Sequence, residues 1–280
     1  MKHTIKIMKA SGVLELYSRN KLIHSLQQSG ADVNSIEFVV QEVESKLFDG
    51  IPSKTVYDLS FSLLRKRELG IAARYKLKKA MMEMGPSGYP FEKFVGEIFR
   101  LQGFNVAVGQ VLQGHCVTHE VDVIATMGME QHFIECKYYL RNGKNANVQV
   151  PLYIRSRVDD LIKERSQQPE FSGYTFYGGV VTNTRFSTDA ISFGECSGLQ
   201  LLSWDYPLGK GLKDIIDKEQ IFPLTVLTHL NINDKRMLMD IGIVICSQLL
   251  ENPEALDKIG MDFKKQKKVI REVRSLCPKA

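Results

Sequence analysis

The sequence predicts a mixed α/β protein, α+β overall, in three regions: helices with a small sheet, a larger sheet flanked by helices, and a helical end. Two observations lead to this prediction. Short apolar runs at 121–125 and 131–134 are joined by a turn-like segment, which is typical of a hairpin. Apolar residues at helical spacing lie on both sides of that hairpin. We therefore predict domains at 1–86, 87–210 and 211–280.

The first region is predicted to contain a small hairpin followed by three helices. Residues 9–12 form the turn between two short apolar runs. Asn34 with Glu37 indicates a capping box at the start of one helix. Ser53 is the predicted N-cap of the next helix, and 71–84 supplies the last one. A short sheet lying over a helix bundle is the expected result.

The central hairpin carries the chemistry. Side chains alternate between faces along a strand, so Glu135 and Lys137 share one face while Cys136 points to the other. Asp122, thirteen residues before Glu135, can face it from the neighbouring strand. Two carboxylates and an ammonium group suit Mg²⁺-dependent cleavage of a phosphodiester bond. A solvated set of the same residues also occurs by chance, so these residues alone leave both interpretations open.

Two helices and a buried strand are predicted around this hairpin. Residues 88–104 have an apolar stripe at helical spacing, with Pro90 in the first turn and Gly103 as the C-cap. Glu92 lies on the flank of that stripe, from which it can approach the sheet. Apolar residues at 151–162 indicate the second helix, and 178–183 a buried strand.

This order of elements resembles the Mrr-type branch of the PD-(D/E)xK restriction endonucleases over about residues 86 to 206. The matching motifs are Phe91-Glu92, Val121-Asp122, Glu135-Cys136-Lys137, Gln149, Val181-Thr182-Asn183 and Phe186-Ser187. Val121 stands where the proline that names the superfamily would be.

The resemblance implies a role for each matching polar residue. Asp122 and Glu135 would be the metal ligands, and Lys137 the catalytic lysine. Glu92 would be an auxiliary acid, and Gln149 a polar residue close to the site. The implied cofactor is Mg²⁺ and the implied substrate is DNA.

The first 86 residues are similar to an ATP-cone, a nucleotide-sensing domain of ribonucleotide reductases. The similarity rests on the segments 7–12, Glu15, 20–22, 49–51 and 72–75. It implies that ATP or dATP binds as a regulatory ligand through Lys9, Glu15 and Lys21, with Ser53 as a further candidate. Ala10 departs from the family pattern, in which a basic residue is usual. Each lysine taken alone favours a solvated surface role over nucleotide binding.

Composition agrees with a DNA-handling protein. The net charge is +5 and the sequence pI about 8.8, a mild basic bias that favours contact with phosphates. No apolar run is long enough for a membrane span and the start lacks a signal-peptide core, so we expect a cytoplasmic protein. Five scattered cysteines indicate reduced thiols. His115 and His119 beside Cys116 suggest polar surface or DNA contact more than zinc.

The third region is predicted to be helical. Residues 231–234 form a helix start signal, and apolar residues follow at helical spacing. The end of the chain is basic, with Lys264, Lys265, Lys267, Lys268, Arg271 and Arg274. A solvated helix face is one interpretation, and a clamp on the DNA backbone is the other.

Together these features predict a nucleotide-responsive, Mg²⁺-dependent DNA endonuclease in restriction or other defence, expected to form a homo-oligomer. One alternative is a catalytically silent nucleotide sensor that holds DNA or a partner. Another is a junction or repair nuclease with the same chemistry.

Overall fold

A computed structural model describes residues 5–9, 11–141 and 143–277, and it has the predicted mixed α/β fold. Within those residues the first region has strands β1 Lys6–Met8, β2 Leu14–Leu16 and β3 Ile51–Pro52, and helices α1 Arg19–Gln28, α2 Val33–Glu44, α3 Ser53–Arg67, α4 Leu69–Tyr75 and α5 Leu77–Met82. The sheet order is β2-β1-β3, with β1 and β2 antiparallel and β3 parallel to β1. Helix α1 was not among the predicted helices, because only Leu22 and Leu26 mark its buried face.

Three predicted details of these helices are wrong. The side chain of Asp32, not that of Asn34, caps α2 by accepting the Ser35 N–H at 2.6 Å. Ser53 is the first residue of α3, which follows Pro52 without a side-chain cap. The segment 71–84 is not one helix, because α4 and α5 are separated at Lys76. Periodicity reveals a helix better than its ends, which depend on one or two local hydrogen bonds.

The second region contains the large sheet, in the order β10-β8-β6-β5-β4. Its strands are β4 Asn105–Gln113, β5 Thr118–Met127, β6 Glu130–Lys137, β8 Thr175–Thr182 and β10 Gln200–Leu202, with a small pair β7 Asn145–Ala146 and β9 Arg185–Phe186 beside it. Strands β4, β5 and β6 are antiparallel neighbours, as the predicted hairpin requires, whereas β6, β8 and β10 run parallel.

Helices cover both faces of this sheet. They are α6 Tyr89–Leu101, α7 Gln149–Arg165 and α8 Thr188–Cys196. Phe91 and Phe94 of α6 share a core with Ile134 and Cys136 of β6. Residues of α7 and α8 pack with Phe133 in a second core on the opposite face. Strand β6 is therefore buried from both sides. Gly103, predicted as the C-cap of α6, is the residue after that cap and has φ +93°.

The third region is helical, as predicted. Its helices are α9 Leu212–Glu219, α10 Ile232–Asp240, α11 Gln248–Glu251, α12 Ala255–Lys258 and α13 Phe263–Leu276. Asn231 and Asp234 form the capping box of α10, which confirms the predicted start. Most of the basic residues of α13 are exposed, although Lys265 donates to Asp234 at 2.6 Å. No helix in the described part of the chain is long and apolar enough to cross a membrane.

The helical end packs on the α6 side of the sheet. Its apolar residues form one core with α6, and this core also contains Leu77, Ala80 and Met81 of α5. Helices α1 to α4 bury a second core with β3, although Ala73 of α4 lies in the first core. Helix α5 therefore packs with the second and third regions, although it precedes the predicted domain boundary at residue 86.

Candidate active site

Asp122 and Glu135 lie at the same end of the antiparallel β5–β6 pair. Val123 pairs with Ile134, so Asp122 and Glu135 occupy the next position outward. The Asp122 carboxylate accepts the backbone N–H of Cys136 at 2.7 Å. This bond holds the Asp122 side chain against β6, next to Glu135.

Glu135 is the centre of an ion-pair cluster. It is buried, with 8% of its surface exposed. Its Oε1 accepts a hydrogen bond from Lys137, and its Oε2 lies 2.7 Å from Nη1 of Arg157 on α7. Cys136 lies in the core behind the sheet, so the predicted alternation along β6 is what the structure has.

The carboxyl groups here are poorly neutralised. Burial, followed by the charge of Glu135, raises the pKa of Asp122 to about 6. Burial, followed by the charges of Asp122 and Glu120, raises the pKa of Glu92 to about 7. Glu92 in the first turn of α6 therefore belongs to the same electrostatic cluster.

The surroundings favour the charged form of Lys137, whereas they disfavour the charged forms of Asp122 and Glu92. Burial alone would lower its pKa, but the hydrogen bond and charge of Glu135, with the charge of Asp122, raise it. The side chain is therefore a cation at neutral pH. Lys137 and Arg157 face Asp122, Glu135, Glu92 and Glu120, so this part of the protein has an excess of negative charge.

The donor atoms fit a magnesium ion. Mg²⁺ takes oxygen ligands and keeps several waters, so it needs only one or two carboxylates plus a substrate phosphate. Asp122 and Glu135 line one open cleft of about 580 Å³ and can supply those carboxylates. Among the described residues no three His, Cys, Asp or Glu side chains come together as a metal-binding group. The protein therefore offers a partial ligand set that water and substrate would complete.

Comparison with known proteins agrees with this geometry. Residues 84–205 match the family model described as Restriction endonuclease, and residues 222–277 match the model AF1548-like, C-terminal. The central domain is restriction endonuclease-like.

Two relatives extend this similarity. An uncharacterized protein of Archaeoglobus fulgidus is 29% identical over 178 residues, which are 62% of this chain and 94% of that protein. The crystal structure of AF1548, a protein of unknown function, matches with a TM-score of 0.57 and 27% identity. That match covers 69% of this chain and 100% of the AF1548 chain. The relatives thus share the fold without an assigned activity.

Gln149 is the remaining predicted site residue. It is exposed at the start of α7, and its side-chain partner is Asn147 at 3.5 Å. Its predicted place near the site remains untested.

Four residues of the cleft were not identified from the sequence. Arg157 binds Glu135, while Thr118, Glu120 and Tyr153 line the same cleft. Arg157 follows Ile154 by three residues and precedes Leu161 by four, so it lies beside the buried stripe of α7. A cation in that position was a signal that could have been noticed.

His119 has a structural partner. Its Nε2 lies 2.8 Å from Oδ2 of Asp160, and Asp160 also accepts the backbone N–H of Cys116 at 2.8 Å. The His119 side chain is only 11% exposed, so the expectation of free polar surface is wrong, while contact with DNA stays a prediction. It braces the turn before β5 against α7.

The candidate nucleotide residues also lie together. Lys9 Nζ is 3.1 Å from Oε2 of Glu15, and Lys21 donates to the other oxygen of Glu15. Ser53 follows Pro52, which pairs with Met8, so Ser53 and Lys9 lie at the same end of neighbouring strands. Ala10 lies outside the described residues. Neither matched family range includes these residues.

Proposed function

We propose that the protein is a Mg²⁺-dependent DNA endonuclease. The observation that carries the proposal is the meeting of Asp122, Glu135 and Lys137 at one end of the β5–β6 hairpin, in a restriction endonuclease-like domain. The adjoining cleft is open, so an extended phosphodiester chain can reach the carboxylates. The mild basic charge of the chain favours such a polyanion.

Each residue has a role in the proposed reaction. Asp122 and Glu135 would hold Mg²⁺, which when bound would supply Lewis-acid polarisation of a phosphoryl oxygen and a water of lowered pKa. Lys137 orients the attacking water and offsets negative charge on the transition state. Glu92, whose pKa is raised by burial and by the charge of Asp122, is the auxiliary acid. Gln149 contacts the substrate near the site.

Supercoiled plasmid provides the test. Purified protein is incubated with plasmid and Mg²⁺, and nicked and linear products are quantified on a gel. We expect products that require Mg²⁺ and disappear when a chelator is added. Equal product with and without the chelator would contradict the proposal.

We also propose that ATP or dATP regulates this activity through the first region, in restriction or defence. The support is the contact of Lys9 and Lys21 with the single carboxylate of Glu15. Lysine side chains bind phosphates as point charges, and Glu15 holds these two lysines close together as the third member of the site. The ligand would act by favouring one of two arrangements of a homo-oligomer.

One observation favours the alternative of a silent nucleotide sensor. Both carboxylate oxygens of Glu135 already have cationic partners, Lys137 and Arg157. A metal ion has to displace or share one of them. Titration with Mn²⁺, followed by its paramagnetic effect on water relaxation, separates the two functions. Wild-type protein should bind Mn²⁺ and Asp122→Asn should not, whereas the silent sensor shows no such difference. A junction or repair nuclease would share the metal binding and differ in preferring branched over linear DNA.

A further inference from the structure

A second charged cavity lies away from the proposed active site. It lies where α5, the residues just after it and α10 meet. Lys76, Glu83, Lys235 and Arg236 supply its charged groups, while Ile232 and Met239 supply apolar surface.

Two lysines share the same acceptors in this cavity. Lys76 Nζ lies 2.9 Å from Oε2 of Glu83, and Lys235 Nζ lies 3.4 Å from that same oxygen. Both ammonium groups also donate to the carbonyl oxygen of Thr225, at 3.2 and 2.7 Å. Their side chains are only 11% and 8% exposed. Two nearly buried cations are therefore held close together.

The cavity has more positive than negative charge. Three cationic side chains line it with one carboxylate. Burial, followed by the charge of the neighbouring Lys76, lowers the pKa of Lys235, in keeping with two cations at a single carboxylate. An ammonium group has three N–H donors. The contacts above give each lysine two acceptors among the described residues, so each retains a donor for a further one.

A purely structural role does not account for the second lysine. Tying α5 to α10 through Glu83 needs one cation, and burying a second one beside it is unfavourable unless it is paired. Phosphate is a compact dianion with several acceptor oxygens, and lysine is a common partner for it. Arg236 is exposed beside the cavity and can add a bidentate contact.

We propose that this cavity binds a phosphate group, either as inorganic phosphate or as part of a nucleotide. The site is separate from the Lys9, Glu15 and Lys21 cluster and from the cleft of Asp122 and Glu135. Its occupation does not depend on nuclease activity.

Calorimetry with the full chain tests this site. Inorganic phosphate is titrated at constant ionic strength, with chloride as the balancing anion. We expect saturable binding by the wild type, at least tenfold weaker binding by Lys235→Met, and binding several-fold weaker by Arg236→Glu. Lys258→Met removes an exposed lysine that pairs with Glu254, and it should bind as the wild type does. Absence of saturable binding by the wild type would overturn the proposal.

Two further arms complete the experiment. Because Lys235 is buried, circular dichroism checks the fold of its variant, and the exposed Arg236 gives an independent variant if that fold fails. If Arg236→Glu binds phosphate as the wild type does, and Lys235→Met is folded and also binds it as the wild type does, the proposed phosphate site is wrong. ATP is titrated into Lys9→Ala/Lys21→Ala. ATP binding that Lys235→Met then abolishes identifies a nucleotide phosphate, and binding of inorganic phosphate alone identifies the free anion.

Discussion

Arg157 on α7 lies 2.7 Å from the Oε2 oxygen of Glu135 on β6, while Lys137 holds the other oxygen of that carboxylate. The guanidinium also donates to the backbone carbonyl oxygen of Glu120. Arg157 therefore locks the end of the hairpin to α7. It also places a positive charge where a divalent cation has to approach Glu135.

The first prediction concerns this competition. Arg157→Met should lower the Mg²⁺ concentration needed for half-maximal nicking by roughly tenfold, because a charge a few ångströms from the ligand opposes the metal. Arg155→Met is the matched control, since Arg155 pairs with Asp159 on the same helix and should leave the midpoint unchanged. Mg²⁺ titrations of plasmid nicking measure both. An unchanged or higher midpoint in Arg157→Met would mean that Arg157 does not oppose the metal.

The second prediction concerns catalysis. Lys137→Ala and Glu135→Ala should each reduce nicking by about 10²-fold or more, the size of effect seen when a transition-state contact is removed. The Lys137 side chain is one-third exposed, so its removal should leave the fold intact by circular dichroism. Lys144→Ala removes an exposed lysine and should cut as the wild type does. Wild-type rates in Lys137→Ala would remove Lys137 from the proposed site.

The third prediction concerns nucleotide binding. Lys9→Ala with Lys21→Ala should abolish the binding of ATP and dATP measured by calorimetry, because both lysines surround Glu15 at the proposed site. Lys46→Ala, at an exposed position just after α2, is the control and should bind normally. If the double variant still binds nucleotide and Lys235→Met does not remove that binding, these lysines are ordinary surface residues.

The fourth prediction concerns coupling. Residues 85–88 join the first region to α6, which carries Glu92, and Gly85 donates its N–H to the Tyr138 hydroxyl at 2.8 Å. Because this connection is short, the first region has little freedom to move independently of α6. Bound nucleotide should therefore change the mass of the oligomer or the cleavage rate. Light scattering and nicking rates across ATP and dATP titrations measure these effects. Bound nucleotide that changes neither quantity means that the two regions act separately.

The fifth prediction concerns stability and pH. Burial lowers the pKa of Lys78 from 10.5 to about 8. Between those pH values the unfolded chain keeps a proton that the folded chain has lost, so the folded state gains stability as pH rises. The free energy of unfolding of the wild type, compared with that of Lys78→Met, should therefore increase as the pH is raised from 8 to 10. Urea denaturation at several pH values measures the difference, with Lys79→Met as the exposed control. A difference that is constant with pH contradicts a depressed pKa at Lys78.

Local patterns in the sequence determined much of the central region. Alternation along 131–137 separates Glu135 and Lys137 from Cys136, and that separation depends only on strand geometry. The stripe of Phe91, Phe94 and Val95 determined which side of α6 is buried. These properties are local because each depends on residues within one element or one hairpin. The roles of the site residues remain predictions.

Only the tertiary structure decided which distant residues join the site. Arg157 reaches Glu135 because α7 packs across β6, and the two residues are 22 positions apart in sequence. Likewise Lys76 and Lys235 meet at Glu83 because the helical end packs on α5, a contact across more than 150 residues. Periodicity within an element does not specify which helix flank lies over which strand. That choice depends on the packing of whole apolar faces. It determines which charged side chains lie around Glu135 and which lie in the cavity of Lys76 and Lys235.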